Sequence, residues 1–496
     1  MKNTFALVNK TPPGVLFLIP NYWEDSDRDE GLIKLTHVCR GWREIFTSYP
    51  LLWTRLDCMN IEKTKTYIER SKSSPLEISL GQVGDMSYRE EAFILAATHV
   101  SRLRTLSIIG LSPTHDLPAL AEHLSLPAPL LDRLNIDLIC DQTPILPDGL
   151  FNGDLSSLRE LCLAGVITPL PWRGLSNLTT FKLCRVPGDQ ILLTQLLDFF
   201  ESTPHLRLIR LHDSIPNSSN VPAERVVSLP HLKEFNIIAQ TPHSVLLNHL
   251  SIPAGASLRL EFTFSGRESP VTSYLPKSLD NLDNLSNITA TNLCLGSAQR
   301  SVRFNGPSGD LYIIGNRTGG GAQPHAGTGR FLESLGRFYN SRNQWLAISL
   351  CGYQAGAPGR VTTYFRMLRS MENLRTLMLS QCHNLLFILI LNPSKNTDGF
   401  VLCPKLEDII FYIKHPDQLH LDELLSMAEG RASSGVRLAG ITIVSTEALA
   451  PIKEVFQLRK HASRVEYKFD NAPPAWDALP TMQMVIGVRA VCGAEV

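Results

Sequence analysis

Ten cysteines are the first residues of this 496-residue chain to test for chemistry, because paired thiolates hold metals and run redox cycles. They stand at positions 39, 58, 140, 162, 184, 294, 351, 382, 403 and 492, with no closely spaced pair. Several, such as Cys162 and Cys184, sit in apolar runs and read as small core residues. His99, His205, His231, His383 and His415 each lack the i, i+4 histidine partner of a zinc-binding helix. The sequence has no Gly-x-Ser-x-Gly elbow and no cysteine set in a nucleophile motif. The stretch GNRTGGGAQPHAGTG, from Gly315, has glycines that free backbone N–H groups for phosphate oxygens. A phosphate-binding loop also needs Lys-Ser or Lys-Thr after its last glycine; Arg330 follows instead, and the stretch reads as a surface insertion. The expectation is a chain that is no enzyme and holds no metal or cofactor.

Lysine plus arginine equal aspartate plus glutamate, at 47 each, so no overall charge draws the chain to nucleic acid or an acidic membrane. Basic stretches such as RSKS and LRKH are short and read as solvated faces. The amino end, MKNTFALVNKTPPG, has no long apolar run, and NLLFILILN is too short to span a bilayer. A cytoplasmic or nuclear protein in a reducing compartment is expected, with no membrane partner.

With chemistry set aside, the tryptophans of LTHVCRGWREIFTSYPLLWTRL, residues 35–56, need an explanation. Upstream, TPPGVLFLIPNYW starts a short helix after its prolines, and the acidic EDSDRDE reads as a connector or helix start. Leu32, Leu35, Val38, Cys39, Trp42, Ile45 and Phe46 recur at spacings of three and four, which predicts one helical apolar stripe. The turn at TSYP breaks it before LLWTRLD resumes. Residues 8–57 therefore read as an all-α module, which at this size buries only about 60% of its unfolded surface. Trp42 and Trp53 read as core, while apolar residues beyond the module's capacity form a partner-binding surface.

A helix and a first strand with Leu76, Ile78 and Leu80 on one face fill 58–100. From there a repeat sets in. LRTLSI, LDRLNI, LRELCL, LTTFKL, LRLIRL and LKEFNI, led by Leu103, Leu131, Leu158, Leu178, Leu206 and Leu232, share the form L-x-x-φ-x-φ at the period of a leucine-rich repeat. The last two apolar positions alternate across a strand and face one core, and the leading leucine turns the chain into it. Between the strands, Leu192, Leu193, Leu196, Leu197, Phe199 and Phe200 supply a helix face. The array occupies 101–265, weakens through an irregular segment at 266–345 that holds the glycine-rich loop, and returns in 346–470 at Leu374, Leu406 and Leu438, where a closing helix and strand cap it. Residues 471–496 are a tail.

Residues 12–57 resemble the F-box motif, in which a Leu-Pro-x-Glu helix precedes Val-Cys-[Arg/Lys]-x-Trp and a downstream Leu-Trp. The likeness falls on Pro13, Val15, Leu16, Ile19, Leu35, Val38, Cys39, Arg40, Trp42, Leu52 and Trp53. The remainder is similar to the large family of F-box proteins with irregular leucine-rich repeats found in mushroom-forming fungi. Gly14 departs from the family's usual glutamate, and the acidic residues 24–30 lengthen the first connection. The resemblance implies an α/β chain, with a small N-terminal helical F-box module followed by an irregular leucine-rich-repeat solenoid. It implies docking on a Skp-type adaptor of a cullin-RING ubiquitin ligase through Pro13, Leu16, Ile19, Leu35, Val38, Trp42 and Leu52, and a protein substrate held by the repeats. Lysine at Leu16 and Ile19 is then expected to abolish adaptor binding while the repeats stay folded. The alternative is a repeat scaffold that no longer engages a ligase; a nucleotide-dependent or hydrolytic activity within 265–345 lacks every motif it would need.

Overall fold

The computed structural model describes residues 11–469 except 24, 82–85, 111–121, 140–142, 147–148, 168–173, 217–220, 241–243, 265–273, 277, 297–298, 318–330, 333–334, 336–337, 339–341, 350–358, 381–383, 397–399 and 446–452. The glycine-rich stretch beyond Arg317, His383 and the 471–496 tail thus lie outside the described residues. Two units divide the rest: the first runs to Val186 and includes Asp198–Leu206, and the second takes Pro187–Leu197 and residues from Arg207 onward. Each is mixed α/β, built on a parallel-rich sheet. No helix among the described residues is long and apolar enough to cross a membrane.

In the first unit, prolines at the first helical positions open α1 (Pro13–Leu16), where a missing N–H costs nothing. A 3₁₀ turn, Ile19–Tyr22, leads to α2 (Asp25–Val38) and α3 (Arg40–Ser48). Residues 25–30, read as a connector or helix start, open α2. The single stripe expected from Leu32 to Phe46 is two helices. Cys39 is extended (φ −160°, ψ 170°), and its Sγ accepts the Trp42 N–H, so it ends one helix and caps the next. A 3₁₀ turn (Pro50–Trp53), β1 (Arg55–Leu56) and α4 (Ile61–Ser71) follow. The Asn60 side chain caps α4 by accepting the Lys63 N–H at 3.0 Å.

The strands β2 (Leu76–Leu80), β3 (Leu103–Ile109), β4 (Arg133–Asp137), β5 (Glu160–Ala164) and β6 (Thr180–Cys184) extend from β1 as one parallel ladder. Its logic is the repeat read in the sequence. The leading Leu131, Leu158 and Leu178 each donate a backbone N–H to the carbonyl three residues earlier, closing a turn that aims the strand into the ladder. The first, fourth and sixth positions of every unit are buried: Leu103, Leu106 and Ile108, then Leu131, Leu134 and Ile136, and so on through Leu178, Phe181 and Leu183. At roughly 1.5–3 kcal/mol for each such side chain, this wall is the unit's main cohesive term. Of the two cysteines read as core, Cys184 is buried, whereas Cys162 falls on the opposite face of β5 because strand side chains alternate. In the helix Leu193–Ser202, Phe199 and Phe200 pack on Phe181, with ring centroids 4.5 and 6.4 Å away. Leu192, expected on that helix's buried face, precedes it and is exposed.

The second unit continues the same device. The strands β7 (Leu208–His212), β9 (Glu234–Ala239) and β11 (Ser257–Phe264) are parallel, with a small separate pair, β8 (Val227–Ser228) and β10 (Leu250–Ser251), beside them. Segment 266–345, where the repeat signal weakens, still contains strands. There β12 (Ala290–Leu295), β13 (Gln299–Gly306) and β14 (Gly309–Arg317) form an antiparallel meander, entered by β11 pairing with β14 and left by β12 pairing with β15 (Trp345–Ser349). Antiparallel strands need no leading-leucine turn, so the repeat signature fades while the sheet does not. The ladder then runs in parallel through β16 (Thr376–Ser380), β17 (Asp408–Ile413), β18 (Leu438–Ser445) and β19 (Ala462–Phe469). The closing helix-like stretch is 3₁₀, Lys453–Lys460.

Gly440 on β18 lets the Arg464 guanidinium on β19 reach Asp408 on β17 at 3.0 Å, since a Cβ there would overlap the Asp408 carboxylate. The pair is well exposed, and such pairs contribute at most about 1 kcal/mol. Gly440→Ala should therefore lower stability by about 1 kcal/mol or less. In thermal melts its cost should fail to add to that of Arg464→Ala, because both remove one interaction.

Candidate functional site

The amino-terminal helices are anchored on α4 by Trp53. This indole is fully buried, donates its N–H to the Phe46 carbonyl at 2.9 Å and meets the Tyr67 ring edge-on at 4.9 Å. The Arg70 guanidinium lies 4.2 Å from its ring centroid, within cation–π range. On the other side Phe46 packs against Trp42 at 5.7 Å and Phe17 at 6.3 Å, while Phe17 stacks on Tyr49 at 3.9 Å. Trp42 and Trp53 are thus both core aromatics, although Trp42 is also one of the residues expected at the adaptor interface.

Lys63 fastens the same region electrostatically. Its ammonium, half-buried on α4, bridges Asp29 of α2 and Asp57, each at 2.5 Å. Burial works to lower its pKa, but hydrogen bonds and charge attraction from the two carboxylates outweigh it and the net shift is upward. Asp29 belongs to the acidic stretch that lengthens the first connection, so that stretch supplies one of the module's anchors. Arg43 Nε donates to the Thr36 carbonyl at 3.0 Å, tying α3 back to α2 across the break at Cys39.

Around this packed interior the module keeps apolar side chains in solvent. Val15 (52% exposed), Leu18, Tyr22, Ile33, Val38 (55%) and Leu51 are all exposed, whereas from Met59 onward eleven large apolar side chains are exposed across the rest of the described residues. That concentration is what a small domain with surplus apolar surface leaves over.

The seven residues expected at the adaptor interface divide by burial. Pro13 and Val38 are exposed, Ile19 and Leu35 are half-buried, and Leu16 (2%), Trp42 (7%) and Leu52 (6%) are interior. The interior three support the surface from beneath. A lysine at Leu16 would therefore unfold the module, and a substitution test belongs at Val15, Leu18, Val38 and Leu51. Of these four, only Val38 belongs to the set expected at the adaptor interface, since a 3.6-residue period marks a helix face without saying which face the rest of the chain covers. Gly14 is exposed, with open space where a side chain would sit.

Two of the thiols are buried and protonated. Burial pushes the Cys58 thiol up to about 12, with Asp57 adding to the shift, and burial likewise takes Cys403 to about 12, so both stay protonated at neutral pH. Among the described residues no group of three His, Cys, Asp or Glu side chains is placed to hold a metal ion.

On the ladder of the first unit, the face opposite the apolar wall is polar. Ser79, Ser107, Asn135, Cys162 and Lys182 form one row across β2 to β6, and Glu77, Thr105, Arg133, Glu160 and Thr180 form the next. Asn135 Nδ2 donates to Ser107 Oγ at 3.2 Å, Arg133 pairs with Glu160 at 3.5 Å, and Arg185 pairs with Asp137. No protein-family model matches the chain, and no curated protein matches it.

Proposed function

We propose that this chain is the substrate-receptor subunit of a Skp–cullin–F-box ubiquitin ligase, working in the cytoplasm or nucleus. The helical module docks on the Skp-type adaptor, the strand ladder of L-x-x-φ-x-φ units holds a protein substrate, and ubiquitin transfer belongs to other subunits. The observation that carries this reading is the set of exposed apolar side chains from Val15 to Leu51 around the buried Trp42, Phe46 and Trp53. Partner docking on such a surface is driven by a few apolar anchors that lose water on contact.

Capture of a Skp-type adaptor from solution by the tagged chain tests it. Val15→Lys with Leu18→Lys should weaken capture by at least about fivefold per position, since buried interface anchors each contribute about 1 kcal/mol or more. Both side chains are exposed, so thermal melting should stay near the wild-type value. Undiminished capture by the double variant would sink the assignment. A second reading is favoured by Gly14, which stands where the F-box pattern carries glutamate: a repeat scaffold that binds proteins without a ligase. Failure of the wild-type chain to capture any adaptor would select it.

A further inference from the structure

Within the amino-terminal module, α2 is loosely enclosed. Of its side chains from Arg28 to Val38 only Leu32 and Thr36 are buried, whereas the shorter α3 buries the large Trp42 and Phe46. Elements with few buried apolar groups open most readily, so the other contacts that seat α2 decide how often it leaves. Trp23, on the connection leading into α2, lies against Gly31, where a Cβ would overlap its ring, and moves with the helix. Polar ties then fasten α2 to its neighbours: Arg43 of α3 donates to the Thr36 carbonyl at 3.0 Å, and Lys63 of α4 holds Asp29.

Lys63 stands where a cation is costly. It is the third residue of α4, after the Asn60 cap, and the helix dipole disfavours positive charge in a first turn. Two carboxylates offset that cost. Asp57, just ahead of α4, is fixed by accepting the Met59 N–H at 3.1 Å, and Asp29 comes from α2. Both carboxylates lie 2.5 Å from Nζ, and the three side chains are only 24–39% exposed, so water screens the cluster in part. Without the ammonium, two like charges would face each other and push α2 from its seat. The pairs Glu30–Lys34 and Glu44–Arg40, by contrast, each lie within one helix and fasten nothing across.

We infer that α2 is a strap that opens apart from α3 and that the Lys63 ammonium holds closed, so that an adaptor finds its docking surface complete only in the closed form. The strap carries the exposed Ile33 and Val38, while the exposed Val15, Leu18 and Leu51 stand on the elements clasped around Phe46 and Trp53. Opening therefore removes one part of the surface and leaves the other. By linkage, an adaptor that binds the closed form also holds the strap shut. The coupling to an adaptor rests on the docking reading above; the strap itself does not.

Hydrogen–deuterium exchange of the full chain, with and without a saturating Skp-type adaptor, tests the strap. Lys63→Gln should speed exchange in α2 about fivefold, the upper end of what partly exposed ion pairs contribute, while α3 and β2 to β6 stay near wild type. Lys63→Arg, which keeps the charge, should exchange like the wild type. Raising the ionic strength should speed α2 exchange in the wild type and narrow its gap to Lys63→Gln, which apolar seating alone would not do. The adaptor should slow α2 exchange in both chains. Unchanged α2 exchange in Lys63→Gln, or acceleration spread evenly over α3 and α4, would overturn the strap. Adaptor protection of the segments around Val15 and Leu51 with none in α2 would overturn its coupling to docking. If the wild-type chain captures no adaptor, the docking reading fails, and exchange of the chain alone still decides the strap.

Discussion

Trp53→Ala should cost the first unit about 4 kcal/mol or more, the upper part of the range for emptying a buried tryptophan site. Three losses combine. The indole fills a fully enclosed space, so a cavity remains. The buried Phe46 carbonyl loses the N–H it accepts at 2.9 Å, which costs about 1–3 kcal/mol if nothing replaces it. The contacts with Tyr67 and Arg70 that fix the helices on α4 also go. Against a typical total stability of about 5–15 kcal/mol this is a large fraction. Urea denaturation followed by far-UV circular dichroism should show a midpoint well below wild type, with Trp53→Phe recovering part of it. A midpoint within error of wild type would mean that Trp53 does not anchor the module.

Gly165→Ala should be nearly as damaging although it adds one methyl group. Gly165 closes β5 with φ +63°, where an L-residue costs about 1–2 kcal/mol. Its Cβ would fall on the Leu138 carbonyl oxygen, which is backbone and cannot step aside. The surrounding bonds, Leu138 N–H to the Ala164 carbonyl and Gly165 N–H to the Cys184 carbonyl, each 2.9 Å, would have to yield. A loss of about 3 kcal/mol is expected, visible as a clear drop in melting temperature. The contrast with Gly440→Ala is physical: there the obstacle is the flexible end of Asp408, here it is a neighbouring strand. Equal and small shifts for the two variants would contradict this distinction.

The ladder was legible in the sequence because its signal is local. Every L-x-x-φ-x-φ unit singled out, from Leu103 to Leu438, has its three apolar positions buried, since each position is fixed by strand alternation and by the turn that the leading residue closes. The break at Cys39 was not legible. A thiol capping a backbone N–H leaves the three-and-four spacing of apolar residues intact on either side. Burial within the module was half legible, because Leu16 and Val15 are adjacent, equally apolar and opposite in exposure, 2% against 52%.

The central claim is that the exposed apolar residues of the helical module are an adaptor-docking surface. Hydrogen–deuterium exchange of the chain, alone and with a saturating Skp-type adaptor, tests it most directly. The account predicts that exchange slows within residues 13–53, strongest at α1, α3 and the Pro50–Trp53 turn, and stays unchanged along β2 to β6. Protection on the ladder with none in the module, or no complex at micromolar concentrations, would contradict it.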